Sequence, residues 1–303
     1  MVISSYTKET EKVRRLLEEQ SYVTDSEIVM SVYLAKTLQK PLLIEGPAGV
    51  GKTEIAKVMS KAFNTELIRL QCYEGIDANM ALYEWNYQRQ LLHIKLEEFA
   101  EKTLSEKEST IFGEDFLMKR PLLQAISQNK SPVLLIDEID RSDEEFESFL
   151  LEILSEWQIT IPEIGTIHAK ERPYVILTSN RNRELSEAIR RRCIFLWLDY
   201  PEFEKELDIL QKKVPGCDIN LAKQICKFMV LIRKQKLEKT PGISETIDWA
   251  RSLVALHQDQ LDPSLIESTL GIVFKDRNDV EYVKSTLKDL IETVEVKMEE
   301  FSI

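Results

Sequence analysis

Residues 46 to 53 read Gly46-Pro47-Ala48-Gly49-Val50-Gly51-Lys52-Thr53. The apolar run Pro41-Leu42-Leu43-Ile44-Glu45 precedes them, and the helix-like stretch Glu54-Ile55-Ala56-Lys57-Val58-Met59 follows. Strand, glycine loop and helix in that order confine the chain to an α/β fold with an anion-gripping turn. Backbone N–H groups must curl around the anion where a helix N-terminus leaves donors unsatisfied and its dipole favours negative charge. Lys52 is placed to reach the outer phosphates of a nucleotide such as ATP, and Thr53 to offer a hydroxyl to Mg²⁺. At average usage, a G-x4-G-K-[ST] string arises by chance in roughly one chain of this length in a hundred. Three of the nine glycines fall inside it, so a chance turn between two elements is the weaker account.

With 303 residues, 43% of them apolar, the chain can bury one sizeable core and a second, smaller one. The net charge of −12 is spread along the chain, with Lys and Arg interleaved among Glu and Asp. A nucleic-acid binder usually concentrates positive charge, so no nucleic-acid partner is expected. The sequence holds no run of about eighteen apolar residues and no charged-then-apolar leader, which predicts a cytoplasmic protein without a membrane span. Cys72, Cys193, Cys217 and Cys226 lack C-x-x-C spacing, and His93, His168 and His257 lie far apart. Neither a metal cluster nor a disulfide framework is expected.

The spacing predicts a peripheral helix over 7–20, outside the core, with Val13, Leu16 and Leu17 as its apolar positions. Asp25 can cap a second helix carrying Ile28, Val29, Val32, Tyr33, Ala35 and Leu38 on one face. A short strand follows at 66–70. The stretch from Asp77 to about Lys102 has no proline or glycine and holds Tyr83, Trp85, Tyr87, Leu91, Leu92, Ile94, Leu96 and Phe99, which predicts a long or broken helix. Pro132-Val133-Leu134-Leu135-Ile136 is continuously apolar, as in a strand buried on both faces of a parallel sheet. A helix over 143–157, a hairpin over 159–168 and buried strands at 173–179 and 193–198 complete this part. Beyond Pro201 only helical spacing remains, including Leu221, Ile225, Phe228 and Ile232, then Val280, Val283, Leu287, Leu290 and Val294. The expected division is a helical extension at 1–24, a nucleotide-binding domain at 25–200 and a helical domain at 201–303.

Val133-Leu134-Leu135-Ile136-Asp137-Glu138 delivers two carboxylates at the C-terminal end of a buried strand, where ligands of open α/β sheets bind. Asp137 is suited to hold Mg²⁺ with Thr53, and Glu138 to orient and deprotonate a water aimed at the γ-phosphate. The run Tyr174 to Ser179 ends in Asn180, whose amide can bridge that water and the γ-phosphate, or simply start a turn. Arg190-Arg191-Arg192 stands just before the next strand. Three cations in one ATP site would be redundant. One or two of them could instead complete the site of a neighbouring subunit as an arginine finger; the alternative is a solvated cluster.

These motifs together resemble the AAA+ ATPases. The P-loop, or Walker A, matches 46–53, Walker B matches 133–138, sensor 1 matches Asn180, the arginine fingers match Arg191 or Arg192, and a helical lid follows Pro201. The finer resemblance is to the MoxR group, in its CoxD-like branch. It is carried by Leu70-Gln71-Cys72-Tyr73-Glu74-Gly75, Tyr83-Glu84-Trp85-Asn86-Tyr87, Arg89-Gln90-Leu91-Leu92, Thr178-Ser179-Asn180 and Arg190-Arg191-Arg192-Cys193. The resemblance implies a parallel sheet flanked by helices with a smaller all-helical lid domain. It also implies ATP and Mg²⁺ as cofactors and a homo-oligomeric, hexameric ring whose hydrolysis drives remodelling. The aromatic helix near Tyr83 to Tyr87 looks like a helix-2 insertion and the 159–168 hairpin like a pre-sensor-1 insertion, both facing a central pore, although such aromatics could equally be core. The implied partner is a von Willebrand A domain protein, and the implied client a metalloenzyme, a molybdenum hydroxylase of the carbon monoxide dehydrogenase type.

One position departs from the pattern: Ser244-Glu245-Thr246 puts Thr246 where the family carries a sensor 2 arginine. Arg251 lies about 140° around the helix from it and is no obvious substitute. Other classes remain to be weighed. A P-loop small-molecule kinase explains Lys52 but gives Asp137-Glu138 and Asn180 no joint purpose. A GTPase would need an Asp after its Asn-Lys pair, whereas Asn129-Lys130 is followed by Ser131-Pro132. An AAA+ nucleic-acid motor sits poorly with the acidic balance, and a non-hydrolysing scaffold with a full set of turnover residues.

Overall fold

The computed structural model describes residues 3–96 and 111–300. Its strands there are β1 Leu42–Glu45, β2 Leu67–Gln71, β3 Tyr83–Trp85, β4 Leu117–Lys119, β5 Val133–Asp137, β6 Gln158–Ile161, β7 Gly165–His168, β8 Tyr174–Ser179 and β9 Ile194–Trp197. Five of them form one parallel sheet in the order β2-β5-β8-β1-β9. Every residue of β1 and β5 is buried, which is why both read as unbroken apolar runs closed by one acid. The register sets Gln71 beside Asp137, and Glu45 beside Ser179 and Trp197. The polar residues of four strands thus come out at the same carboxyl edge. This parallel sheet, flanked by helices and followed by a helical region, is the P-loop AAA+ fold expected from the sequence.

The chain divides into two compact units. The first gathers Ser26–Glu45 and Thr53–Trp197 with the chain up to Leu16. Its core joins Leu43, Leu134, Ile136 and Leu177 of the sheet to Leu122, Leu123 and Ile126 of the helix Pro121–Ile126 and to Phe146, Leu150 and Ile153 of the helix Glu144–Glu156. That last helix starts where the Asp143 carboxylate accepts the N–H of Phe146 at 2.8 Å, and stops at Trp157 in a left-handed conformation.

Two expectations fail here. The predicted 77–102 helix is interrupted. Helices Ala78–Leu82 and Tyr87–Leu96 flank β3, which pairs antiparallel with β4 through Tyr83↔Lys119 and Trp85↔Leu117. The aromatic stretch is therefore strand rather than helix at Tyr83 to Trp85. Trp85 is buried against Phe112, at a centroid distance of 5.4 Å, whereas Tyr87, Leu91, Leu92, Ile94 and Leu96 are exposed. Phe99 and the end of the predicted helix lie outside the described residues. The N-terminal helix Ile3–Glu18 is also not peripheral throughout, because Val13 and Leu17 are 4% and 1% exposed. Its charged faces conceal a narrow apolar stripe four residues apart.

The second unit comprises Leu17–Asp25, the loop Gly46–Lys52 and the chain from Leu198 onward. Its helices are Phe203–Lys213, Ile219–Ile232, Ile243–Ala255, Pro263–Val273 and Arg277–Glu300. The helical spacing seen in the sequence packs as one core of Leu210, Leu221, Ile225, Phe228, Trp249, Leu253, Leu270 and Val283. Trp249 is fully buried because its indole N–H finds the Thr269 hydroxyl at 2.9 Å. Leu256, just past the helix Ile243–Ala255, is exposed.

Candidate functional site

The glycine loop owes its shape to two close approaches. Gly46 passes so near the carbonyl of Leu198 that a Cβ would lie 1.9 Å from its oxygen, so no side chain fits. Gly49, at φ +76°, takes a conformation that L residues rarely adopt. Its carbonyl accepts the N–H of Ile243 at 2.9 Å. Pro47 and Val50 are half-buried, Ala48 is exposed, and Gly51 has open space where a Cβ would stand. The Lys52 ammonium is buried and donates to the carbonyls of Gly46 and Pro47 at 2.8 and 2.6 Å. Lys52 also begins the helix Lys52–Ala62, so a cation and the free N–H groups of a first helical turn sit together.

In the first unit, Thr53 and Asp137 meet directly, hydroxyl to Oδ1 at 3.0 Å. Thr178, on the neighbouring strand β8, donates to the same oxygen at 2.5 Å and accepts the N–H of Glu138 at 2.9 Å. One hydroxyl therefore fixes both acidic positions. Glu138 stands at φ 56°, ψ 49°, in the left-handed region that is uncommon for a side chain of this kind. That turn carries its carboxylate off the strand line, where Oε2 accepts from Gln71 Nε2 at 3.2 Å and Arg141 Nη1 at 3.1 Å. Asp137 Oδ2 accepts from Arg69 Nε and Nη2 at 3.0 and 2.6 Å. A hydroxyl and a carboxylate side by side form a hard oxygen donor set, which suits Mg²⁺ and is poor for softer metals.

Asn180 leaves β8 on a loop that Asp140 anchors. Asp140 Oδ2 accepts the backbone N–H of Asn180 at 3.2 Å, and from Asn182 both the backbone N–H at 2.8 Å and Nδ2 at 2.7 Å. Asp140 is 3% exposed, and its Oδ1 has no hydrogen-bond partner among the described residues. Next to this acidic group lies Cys72, whose N–H donates to the Asp137 carbonyl at 2.8 Å. Burial pushes its thiol up to about 12, and the charges of Asp137, Asp140 and Glu138 push the same way.

The three arginines separate. Arg190 turns inward and donates to Glu45 Oε1 at 2.8 Å; that carboxylate is 2% exposed. Arg191 and Arg192 are exposed, and their hydrogen bonds stay on their own helix, to Glu187 and to the Ala188 carbonyl. Neither is brought to Asp137 or Glu138 by a hydrogen bond. The roles of Thr178, Asp140, Arg69 and the Glu45–Arg190 pair were not read from the sequence. The available signal was modest: an acid closing a buried strand, as Glu45 and Asp137 both do, requires a partner.

Comparison with known proteins follows the same segment of chain. The sequence model of the AAA domain family, dynein-related subfamily, matches residues 41–193, just over half of the chain. An uncharacterised protein of Staphylococcus haemolyticus is 25% identical over 283 residues, covering 91% of this chain and 99% of the relative. An uncharacterised protein of Staphylococcus aureus is 26% identical over 239 residues, covering 77% of this chain and 82% of the relative. Among solved structures, a point mutant of RuvB from Thermotoga maritima gives a TM-score of 0.50 at 18% identity, covering 90% of this chain and 78% of that one, a likeness of fold alone. The family match begins one residue before β1 and ends one residue before β9, so it takes in the glycine loop, the acidic end of β5 and the Asn180 loop together. The chain belongs to the AAA domain family of AAA+ proteins, in its dynein-related subfamily.

Proposed function

We propose that the chain is an ATPase that couples ATP hydrolysis to remodelling of another protein. The observation that carries this reading is the Thr178 hydroxyl, bonded at once to Asp137 and to the N–H of Glu138, which sets a metal-holding carboxylate and a base side by side. Gly46, Pro47, Ala48, Gly49, Val50, Gly51 and Lys52 would cradle the phosphates, and Thr53 and Asp137 would hold Mg²⁺. Bound there, the metal would neutralise charge on the β- and γ-phosphates. Glu138 orients and deprotonates the attacking water, and Asn180, set by Asp140, positions that water against the γ-phosphate. Arg191 or Arg192, free of the inward pair that occupies Arg190, is placed to act in the site of a neighbouring copy.

The wider reading is a hexameric ring acting in the cytoplasm, with residues 25–200 as nucleotide-binding domain, 201–303 as lid and 1–24 as a helical extension. In the MoxR group and its CoxD-like branch, such a ring would work with a von Willebrand A domain partner on a metalloenzyme. Of the stretch from Tyr83 to Tyr87 expected to face a pore, the exposed Tyr87 supports that role and the buried Trp85 does not. Phosphate release from ATP by the purified chain with Mg²⁺, and no added acceptor, tests the hydrolytic reading. Glu138→Gln is expected to bind ATP, assemble and lose turnover, and full turnover in that variant would overturn the role of Glu138. Capture of a protein by ATP-loaded Glu138→Gln then tests the client.

A further inference from the structure

All the acceptor positions of Asp137 are taken. Oδ1 accepts the hydroxyls of Thr53 and Thr178, while Oδ2 accepts two N–H groups of Arg69. The Asp137 side chain is 4% exposed and the Arg69 side chain 53%, so a buried anion is neutralised by a cation that itself remains half in water. The same Arg69 Nη2 donates to Gln71 Oε1 at 2.5 Å, and Gln71 Nε2 donates to Glu138 Oε2. One guanidinium therefore links the carboxylate suited to a metal with the carboxylate suited to be a base.

A divalent cation arriving at Asp137 meets three kinds of neighbour that respond differently. The hydroxyls of Thr53 and Thr178 are neutral and can rotate to present a lone pair. A guanidinium has only donors, keeps its charge at any ordinary pH and is repelled by a second cation on the same carboxylate. Arg69 is the partner that must leave, and its exposed side chain leaves it free to do so.

Resting on the ATPase reading above, we propose that Arg69 is a tethered counter-cation. It neutralises Asp137 in the nucleotide-free protein and withdraws when Mg²⁺ enters with nucleotide, and its withdrawal frees the Gln71 side-chain carbonyl oxygen while Arg141 still holds Glu138. Arg69 is a positioning residue in this scheme. It keeps the metal carboxylate neutralised until Mg²⁺ claims it.

The test uses the full chain and two neutral variants, Arg69→Met and Arg69→Gln, so that a folding failure in one leaves the other to be read. ATP affinity is measured calorimetrically with Mg²⁺ and with a chelator in its place, and melting is followed with and without nucleotide. The gain in ATP affinity on adding Mg²⁺ should be roughly tenfold larger in the variants than in the parent chain. Their nucleotide-free forms should melt below the parent, and the gap should close at saturating ATP and Mg²⁺. An unchanged or smaller Mg²⁺ gain, or a melting gap that persists with ATP and Mg²⁺, would mark Arg69 as a simple structural bridge and overturn the proposal. A parent chain that binds no ATP at all would instead sink the ATPase reading, and this inference with it.

Discussion

Arg190 of the helix Glu187–Arg192 closes an ion pair with Glu45, the last residue of β1, at 2.8 Å, and Glu45 is 2% exposed. Arg181 approaches the other oxygen of the same carboxylate at 3.8 Å and lies over the Trp197 ring. Glu45 immediately precedes the phosphate loop in the sequence. Removing the nearer cation leaves a buried anion with one distant partner. Arg190→Met should destabilise the protein by about 2 kcal/mol, reduced from the cost of a wholly buried pair because Arg190 is a third exposed. Arg192→Ala, whose side chain is bathed in solvent, should leave the urea midpoint unchanged while hydrolysis falls. Mixing Arg192→Ala with Glu138→Gln should restore some turnover if the arginine acts across subunits. Equal urea midpoints for the Arg190 and Arg192 variants would contradict this division of labour.

Asp140 offers a second separation, between holding nucleotide and using it. Its Oδ2 pins the backbone of Asn180 and Asn182, yet no hydrogen bond joins it to Thr53 or Asp137. Asp140→Ala should lower the turnover rate roughly a hundredfold by letting the Asn180 loop drift, with ATP affinity retained. Asp140→Asn keeps an acceptor in place and should retain much of the rate. Loss of affinity in step with rate would show that Asp140 supports the whole site instead.

What the sequence made legible follows from how local each signal was. The strands β1 and β5 are buried on both faces and close with an acid, so a continuous apolar run sufficed to find them. The glycine loop follows β1 directly, and Asn180 follows β8 directly. β3 could not be read because Tyr83-Glu84-Trp85 is only three residues long, and its partner lies more than thirty positions away at Leu117–Lys119. A pattern of aromatics without proline or glycine fits a helix equally well. The division among Arg190, Arg191 and Arg192 was likewise hidden, since only the direction of each side chain from its short helix decides which one meets Glu45. Thr178 carried part of the resemblance but was given no role, because a threonine in a buried strand reads as an ordinary β-former.

The buried thiols give a pH dependence whose sign is fixed. Burial pushes Cys72 and Cys193 up from 9.0 to about 12 in the folded protein. Below pH 9 both states keep these protons and the thiols add no pH dependence. Above it the unfolded chain loses them while the folded chain does not, so stability declines as pH climbs from 9 toward 12. Each thiol should contribute a slope of about 1.4 kcal/mol per pH unit once well above 9. Urea midpoints taken between pH 8 and pH 10.5 should fall, and fall less steeply in Cys72→Ala. A Cys72→Ala chain with the parent's slope would remove Cys72 from the account.

Thr246, standing where the resemblance to AAA+ ATPases implies an arginine, has a different task. It is fully buried, and its hydroxyl donates to Glu206 Oε1 at 2.7 Å and accepts from Arg233 Nη2 at 3.0 Å. Arg233 grips both oxygens of Glu206 at 2.6 and 2.7 Å, donates to the Pro241 carbonyl at 2.9 Å and lies over the Tyr200 ring. This cluster sets the Pro241-Gly242 turn, where a Cβ on Gly242 would stand 2.7 Å from the backbone of Gly49. Thr246→Val should cost about 1–2 kcal/mol by leaving Glu206 and Arg233 each one partner short. Thr246→Arg, which writes the implied arginine into the sequence, should cost about 3 kcal/mol or more, because a second guanidinium must enter a filled, already neutral pocket. Gly242→Ala should leave the melting temperature of the helical unit nearly intact and weaken ATP binding through displacement of Gly49. If Thr246→Arg instead folded at parental stability and bound ATP more tightly, the pocket would have room for a sensor after all, and the cluster's role in setting the turn would be refuted.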